Sequence, residues 1–147
     1  MFDTVVVATD GSESVTRAID CALDVSARFD ATVHALYVVD ERHVETLPER
    51  LHGEVHDALD QRATEALETV IDRNEHRDRP VDVTTTVRSG RPSEQIVGYA
   101  RDTDADAVAM GTRGRDGDHS FLLGSVAERV IRTCPVPVLT VRQLESR

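Results

Sequence analysis

Thr4-Val5-Val6-Val7-Ala8-Thr9-Asp10-Gly11-Ser12 is the stretch that decides the fold. Thr4 to Ala8 form a continuous β-branched, apolar run, the pattern of a strand buried on both faces in a parallel sheet. The run stops at Thr9-Asp10-Gly11-Ser12, a cluster of turn residues in which Ser12 or Asp10 is expected to cap the next helix. In that helix Val15, Ala18, Ile19, Ala22 and Phe29 fall largely on one face.

Working outward, the alternation repeats. A second strand is expected over 32–39, with Ala35-Leu36-Tyr37-Val38-Val39 as its core. Residues 40–53 show no period and carry Pro48, so they read as a loop. Val55, Ala58, Leu59, Ala63, Ala66, Leu67, Val70 and Ile71 keep a 3–4 spacing, which predicts a long amphipathic helix ending before Pro80. Residues 81–87 alternate and are rich in Val and Thr, as in a half-exposed edge strand. Pro92 suits the first position of a short helix that turns Ile96, Val97 and Ala100 inward. A buried strand over 105–110 leads into a glycine-bearing loop, 111–124. Ser125 then opens a helix through Val126 and Val130. Residues 135–141 read as a closing strand; Pro135 and Pro137 cannot donate to a ladder, so its start belongs at an edge or bulge. The order β-α-β-α-β-α-β-α-β implies a doubly wound α/β sheet, mainly parallel, with helices on both faces. One domain is expected over 1–142, followed by a frayed tail at 143–147.

The chain has 147 residues, 30% charged and 39% hydrophobic, with 17 basic against 27 acidic residues and a net charge of -10. Every basic residue other than histidine is arginine. A negative chain lacks the electrostatic footprint of a nucleic-acid binder and is repelled by anionic lipid heads. Without lysine there is no Schiff base and no Walker lysine. An acid-heavy, arginine-only composition resembles proteins of extreme halophiles; a GC-rich genome is the alternative source of the arginine. No export signal and no membrane-spanning stretch stand out, so a cytoplasmic protein is expected. Cys21 and Cys134 are expected to be two buried thiols without metal-like spacing.

In an open α/β sheet ligands bind outside the carboxyl ends of the strands. Three loops fall there: 9–12, 39–41 and 111–124. The third ends at a helix start, where free N–H groups and the dipole favour an anion, and Arg113 and Arg115 add forked donors. A surface loop without a ligand is equally glycine-rich, so the residues alone leave both readings open.

The spacing Gly111-x2-Gly114-x9-Gly124-Ser125 resembles the nucleotide-binding motif of the universal stress protein family, in its ATP-binding branch. The opening Val5-Val6-Val7-Ala8-Thr9-Asp10-Gly11-Ser12, the segment Tyr37-Val38-Val39-Asp40, the lead-in Ala107-Val108-Ala109-Met110 and the closing strand are similar to that family in the same order. The resemblance implies an adenine nucleotide alpha hydrolase-like sheet of five parallel strands in the order 3-2-1-4-5. It implies ATP as ligand, with Mg or Mn as a possible companion. Gly111, Gly114, Gly124 and Ser125 match the residues that hold the phosphates, and Val126 a further backbone contact. Ala8, Thr9 and Asp10 match the segment lining the adenosine, Val38 the position at the adenine, and Met110 an apolar wall. Asp10 and Ser125 each have a plain helix-capping role as the alternative. Asp116 and Asp118 add charge inside the loop that works against phosphate binding at low ionic strength. The resemblance also implies an antiparallel homodimer through Val136, Val138, Leu139, Thr140 and Val141, against a monomer whose edge the prolines guard.

Other chemistry is weakly supported. His52-Gly53-Glu54-Val55-His56 lacks the adjacent His-Glu of the zinc protease motif, so solvated histidines at a helix start are expected and no metal site. His34 is expected to be a hydrogen-bonded core histidine; His119 lies in the motif loop. There is no Gly-x-Ser-x-Gly elbow, and the glycine pattern follows the fourth strand rather than the first, against a dinucleotide fold. The reading is a nucleotide-responsive stress module without catalytic residues. A slow ATPase or self-phosphorylating enzyme, and a ligand-free structural dimer, are the alternatives.

Overall fold

A computed structural model describes residues 2–113 and 123–144. The elements run β1 (Thr4–Ala8), a 3-10 turn (Glu13–Val15), α1 (Thr16–Phe29), β2 (Thr32–Val39), α2 (Arg42–Glu45), a second 3-10 turn (Glu49–Leu51), α3 (His52–Glu75), β3 (Val83–Ser89), α4 (Pro92–Asp102), β4 (Ala107–Gly111), α5 (Ser125–Thr133) and β5 (Val138–Val141). The five strands pair in parallel in the order β3-β2-β1-β4-β5. The doubly wound sheet expected from the sequence is present.

β1 is the central strand, and Val5, Val6 and Val7 are at most 2% exposed. The pleat divides its side chains between two cores. Val5 and Val7 join Val33, Ala35, Ile19, Leu23, Leu67 and Val70 under α1 and α3. Val6 and Ala8 join Leu36, Ile96, Val97, Val108, Met110 and Val130 under α4 and α5. Two ion pairs join α1 to α3 and to the turn that follows it, at matching four-residue steps. Arg73 donates to both Asp20 oxygens at 2.7 and 2.6 Å, and Arg77 reaches Asp24 at 2.8 Å. The Asp106 carboxylate accepts the backbone N–H groups of Asp3 and Thr4 at 2.7 and 2.9 Å, tying the entry of β1 to the entry of β4.

Several local expectations change. Residues 40–53 hold a helical turn, because Val44 is buried at 3% exposure and anchors α2. Phe29 is 52% exposed and meets Phe2 instead of the core, since α1 ends there with Asp30 in the left-handed region. Neither Ser12 nor Asp10 caps α1: the Asp10 carboxylate turns back onto Ser12, and a 3-10 turn precedes the helix. β3 begins at Val83 and β4 at Ala107, each two residues later than expected. Pro135 and Pro137 stay outside β5, whose ladder needs the donors they lack; the Pro137 carbonyl still accepts Val108 N–H at 2.9 Å. Cys21 and Cys134 are free thiols, half-buried rather than buried, at the margins of the two cores.

Candidate functional site

Strand order reverses at β1, which has β2 on one side and β4 on the other, and a crevice opens at the carboxyl ends of such a pair. The end of β1 forms its floor. Thr9 N–H donates to the Leu36 carbonyl at 2.9 Å, extending the β1–β2 ladder, and the buried Thr9 hydroxyl accepts Gly11 N–H at 3.1 Å. Asp10 Oδ1 accepts both the backbone N–H and the hydroxyl of Ser12, at 2.9 and 2.5 Å. The carboxylate is thus committed to shaping its own turn. The Ser12 hydroxyl meets that of Ser14 at 2.7 Å, and Ser14 donates to the Arg113 carbonyl at 3.4 Å.

That last contact brings the turn after β1 against the start of the glycine loop. Gly111 ends β4 where a side chain would meet the Ser14 carbonyl at 3.1 Å and Val15 Cα at 3.6 Å. Glycine there lets the end of β4 approach the 3-10 turn closely. The far end of the loop returns to the same place, because Gly124 N–H donates to the Thr112 carbonyl at 2.6 Å. Gly124 is the N-cap of α5 and Ser125 its first helical residue, so the expected capping role of Ser125 falls to a residue without a side chain. The first N–H groups of α5 have no partner within the helix, and among the described residues no side chain caps them. They face the neck of the loop.

Ala8 and Met110 are buried and Val38 is half-buried, all on the side of the sheet under α4 and α5. They form an apolar wall beside the polar turn. Arg113 and Val126 are half-buried and Ser125 exposed. Gly114, Arg115, Asp116, Asp118 and His119 lie outside the described residues. The described site residues therefore gather at the ends of β1, β2 and β4 and at the start of α5. At the rim, Arg42 forms a two-pronged pair with Asp40 at 2.9 and 2.6 Å, which raises the guanidinium above its ordinary value, and it also feels Glu94.

Sequence reasoning missed Tyr99. Its buried hydroxyl lies 2.9 Å from His34 Nδ1 and 2.9 Å from Thr86 Oγ1, joining β2, β3 and α4. Arg88 stands over the Tyr99 ring at 4.8 Å and pairs with Asp102 at 2.8 Å. Burial lowers the His34 pKa below 6.5. The period of α4 marks Tyr99 as inward, yet its polar partners come from strands distant in sequence. His52 caps a local turn through the Leu47 carbonyl at 2.8 Å. Among the described residues no group of three or more His, Cys, Asp or Glu side chains is placed to hold a metal.

Comparison with known proteins adds a lineage to this geometry. The model of the Universal stress protein family matches residues 1–142. A universal stress protein of Methanocaldococcus jannaschii, MJ0531, is 37% identical across 97% of this chain and 84% of its own length. The solved structure of MJ0577, from the same organism, superposes with a TM-score of 0.83 at 30% identity, covering 99% of both chains. A universal stress protein solved in complex with cAMP superposes with a TM-score of 0.69 at 26% identity, covering 96% of this chain and 97% of its own.

Proposed function

Because the chain belongs to the universal stress protein family, we propose that it binds ATP at the crevice between β1 and β4 and responds to it as a signalling module. One observation carries the reading: the Thr112–Gly124 hydrogen bond closes the neck of the glycine loop beside the β1 turn and the start of α5, whose first N–H groups no described side chain caps. The relative solved with cAMP supports an adenine nucleotide as the ligand class.

Each residue has a role in this reading. Gly111, Gly114, Ser125 and Val126 offer backbone N–H groups and a hydroxyl to the phosphates, Gly124, whose own N–H is held by Thr112, lets them approach closely, and Arg113 adds a forked donor. Ala8, Thr9 and Asp10 line the adenosine, while Val38 and Met110 give the base an apolar wall. The Asp10 carboxylate already accepts two hydrogen bonds from Ser12, which lessens its repulsion of the phosphates. With no lysine and a charge of -10, phosphate recognition rests on backbone, hydroxyl and arginine groups. A divalent cation such as Mg²⁺ or Mn²⁺ would arrive with the phosphates, since the described side chains gather no ligand set of their own. Bound nucleotide favours one arrangement of the loop over others and so biases a partner-facing surface.

A second copy completes the reading. β5 is an edge strand, with Leu139 at 40% exposure and Ile131 of α5 at 44%. Antiparallel pairing of Val136, Val138, Leu139, Thr140 and Val141 with their symmetry mates covers that edge. No helix among the described residues is long and apolar enough to cross a membrane.

The test is to denature the purified protein and identify what is released, then to titrate the emptied protein with Mg-ATP. Released ATP and saturable binding are expected. Released ADP would make the protein a hydrolase, and an absence of both nucleotide and binding would sink the proposal.

A further inference from the structure

Resting on the nucleotide reading, we propose that Gln95 reads the edge of the bound base through its side-chain amide, which makes it a specificity-determining residue of the site. Two observations place it. First, Tyr99 lies four residues further along α4, on the same helical face, and its hydroxyl contacts fix that face over β2 and β3. As the crossover between parallel strands, α4 runs opposite to them. Gln95 therefore lies about 6 Å nearer the carboxyl ends of the same two strands.

Second, the amide packs on the turn that follows β3. A side chain on Gly90 would stand 2.8 Å from Gln95 Nε2 and 3.2 Å from Cγ, and Gly90 itself has φ +140. Gly90 N–H donates to the Val39 carbonyl at 2.9 Å. The amide thus sits at the end of β2 beside Val38, whose side chain packs in the core under α4 and α5.

Gln95 is half-buried, and its amide has no hydrogen-bond partner among the described residues. It carries two donors and an acceptor with two lone pairs. An adenine offers the complement: an exocyclic amino group that donates to the amide oxygen, and a ring nitrogen that accepts from the amide N–H. Two parallel hydrogen bonds of this kind are the usual way a glutamine or asparagine reads adenine. Val38 supplies the apolar surface and Gln95 the polar edge, so the base is held by shape and chemistry at one strand end.

The experiment compares ATP with purine riboside triphosphate, which lacks only the exocyclic amino group. Calorimetric titrations use the full-length protein and its Gln95→Leu and Gln95→Met variants, with melting curves to verify folding. The wild type is expected to prefer ATP by about tenfold, and both variants to bind the two nucleotides alike, near the wild-type affinity for the analogue. A folded Gln95→Met protein that keeps the preference overturns the assignment while leaving nucleotide binding intact. So does a wild type that binds both compounds equally. A wild type that binds neither overturns the nucleotide reading and this one together.

Discussion

The two faces of the sheet are built differently. Under α1 and α3 the core is aliphatic apart from Tyr37 and the buried Ser26 and Asn74, and ion pairs from Asp20 to Arg73 and from Asp24 to Arg77 stitch its outer rim. Under α4 and α5 the core admits a hydrogen-bonded group, His34–Tyr99–Thr86, and continues at its top into Ala8, Val38 and Met110. The first face holds the fold; the second carries polar groups whose arrangement a ligand or a proton can change. Stability and binding should therefore respond to substitutions on opposite sides.

The largest effect expected is on the second side. Gly114→Val with Gly124→Val should abolish ATP binding in a titration while the melting temperature stays near that of the wild type. Parallel losses of both would erase the distinction between the faces. Next comes Leu23→Ala on the first side, where the side chain is fully buried. A cost of about 3 kcal/mol in denaturant unfolding is expected, with ATP affinity unchanged in the folded protein. Tyr99→Phe should cost about 1 kcal/mol, because it removes a hydroxyl that serves two partners.

Acidity gives a smaller effect, of one sign but in two separate pH windows, one for the second face and one for the strand entries. Burial lowers the His34 pKa below 6.5, so in the intervening range the unfolded chain binds more protons. The stability contribution is complete above pH 6.5 and declines as pH falls toward the folded value. His34→Gln should flatten this part of the profile. Asp106 acts lower. The N–H groups of Thr4 and Asp3 hold its carboxyl below 3.8, giving stability that is present above pH 3.8 and lost as pH falls through the folded value. Asp106→Asn should remove that acid limb only. Smallest, and shared by both faces, is a rise in melting temperature with KCl. From about 0.1 M to about 1 M the Debye length falls from roughly 10 to roughly 3 Å, which screens the repulsion within a chain of charge -10. Equal melting at both concentrations would count against the halophilic reading.

What the sequence disclosed depended on how locally each feature is encoded. The β1 run was legible because burial on both faces leaves an uninterrupted apolar string, and β3 because an edge strand must alternate. α2 was not, since four residues around one buried valine produce no period. Asn74 read as part of a polar helix end, yet it is buried and its amide grips both backbone groups of Val81, at 2.7 and 2.9 Å. Nothing local marks such a residue, because its partners come from the chain's return. The candidate site divides in the same way. Its glycine spacing was visible as a resemblance, whereas the contacts of Ser14 with Arg113 and of Gly124 with Thr112 required the fold.

The central position of β1 has a consequence for synthesis. Its residues leave the ribosome well before those of one of its two neighbours, β4, which begins at Ala107, and the carboxylate that clamps the entry of β1 belongs to Asp106. At about 5–20 residues per second, the strand waits on the order of 5–20 s for that partner. During that time β1, β2 and β3 can pair, leaving the apolar β1 edge open to other nascent chains. Crowded translation of this message should therefore be where a chaperone matters most, and the arrival of Asp106 should mark the end of that exposure.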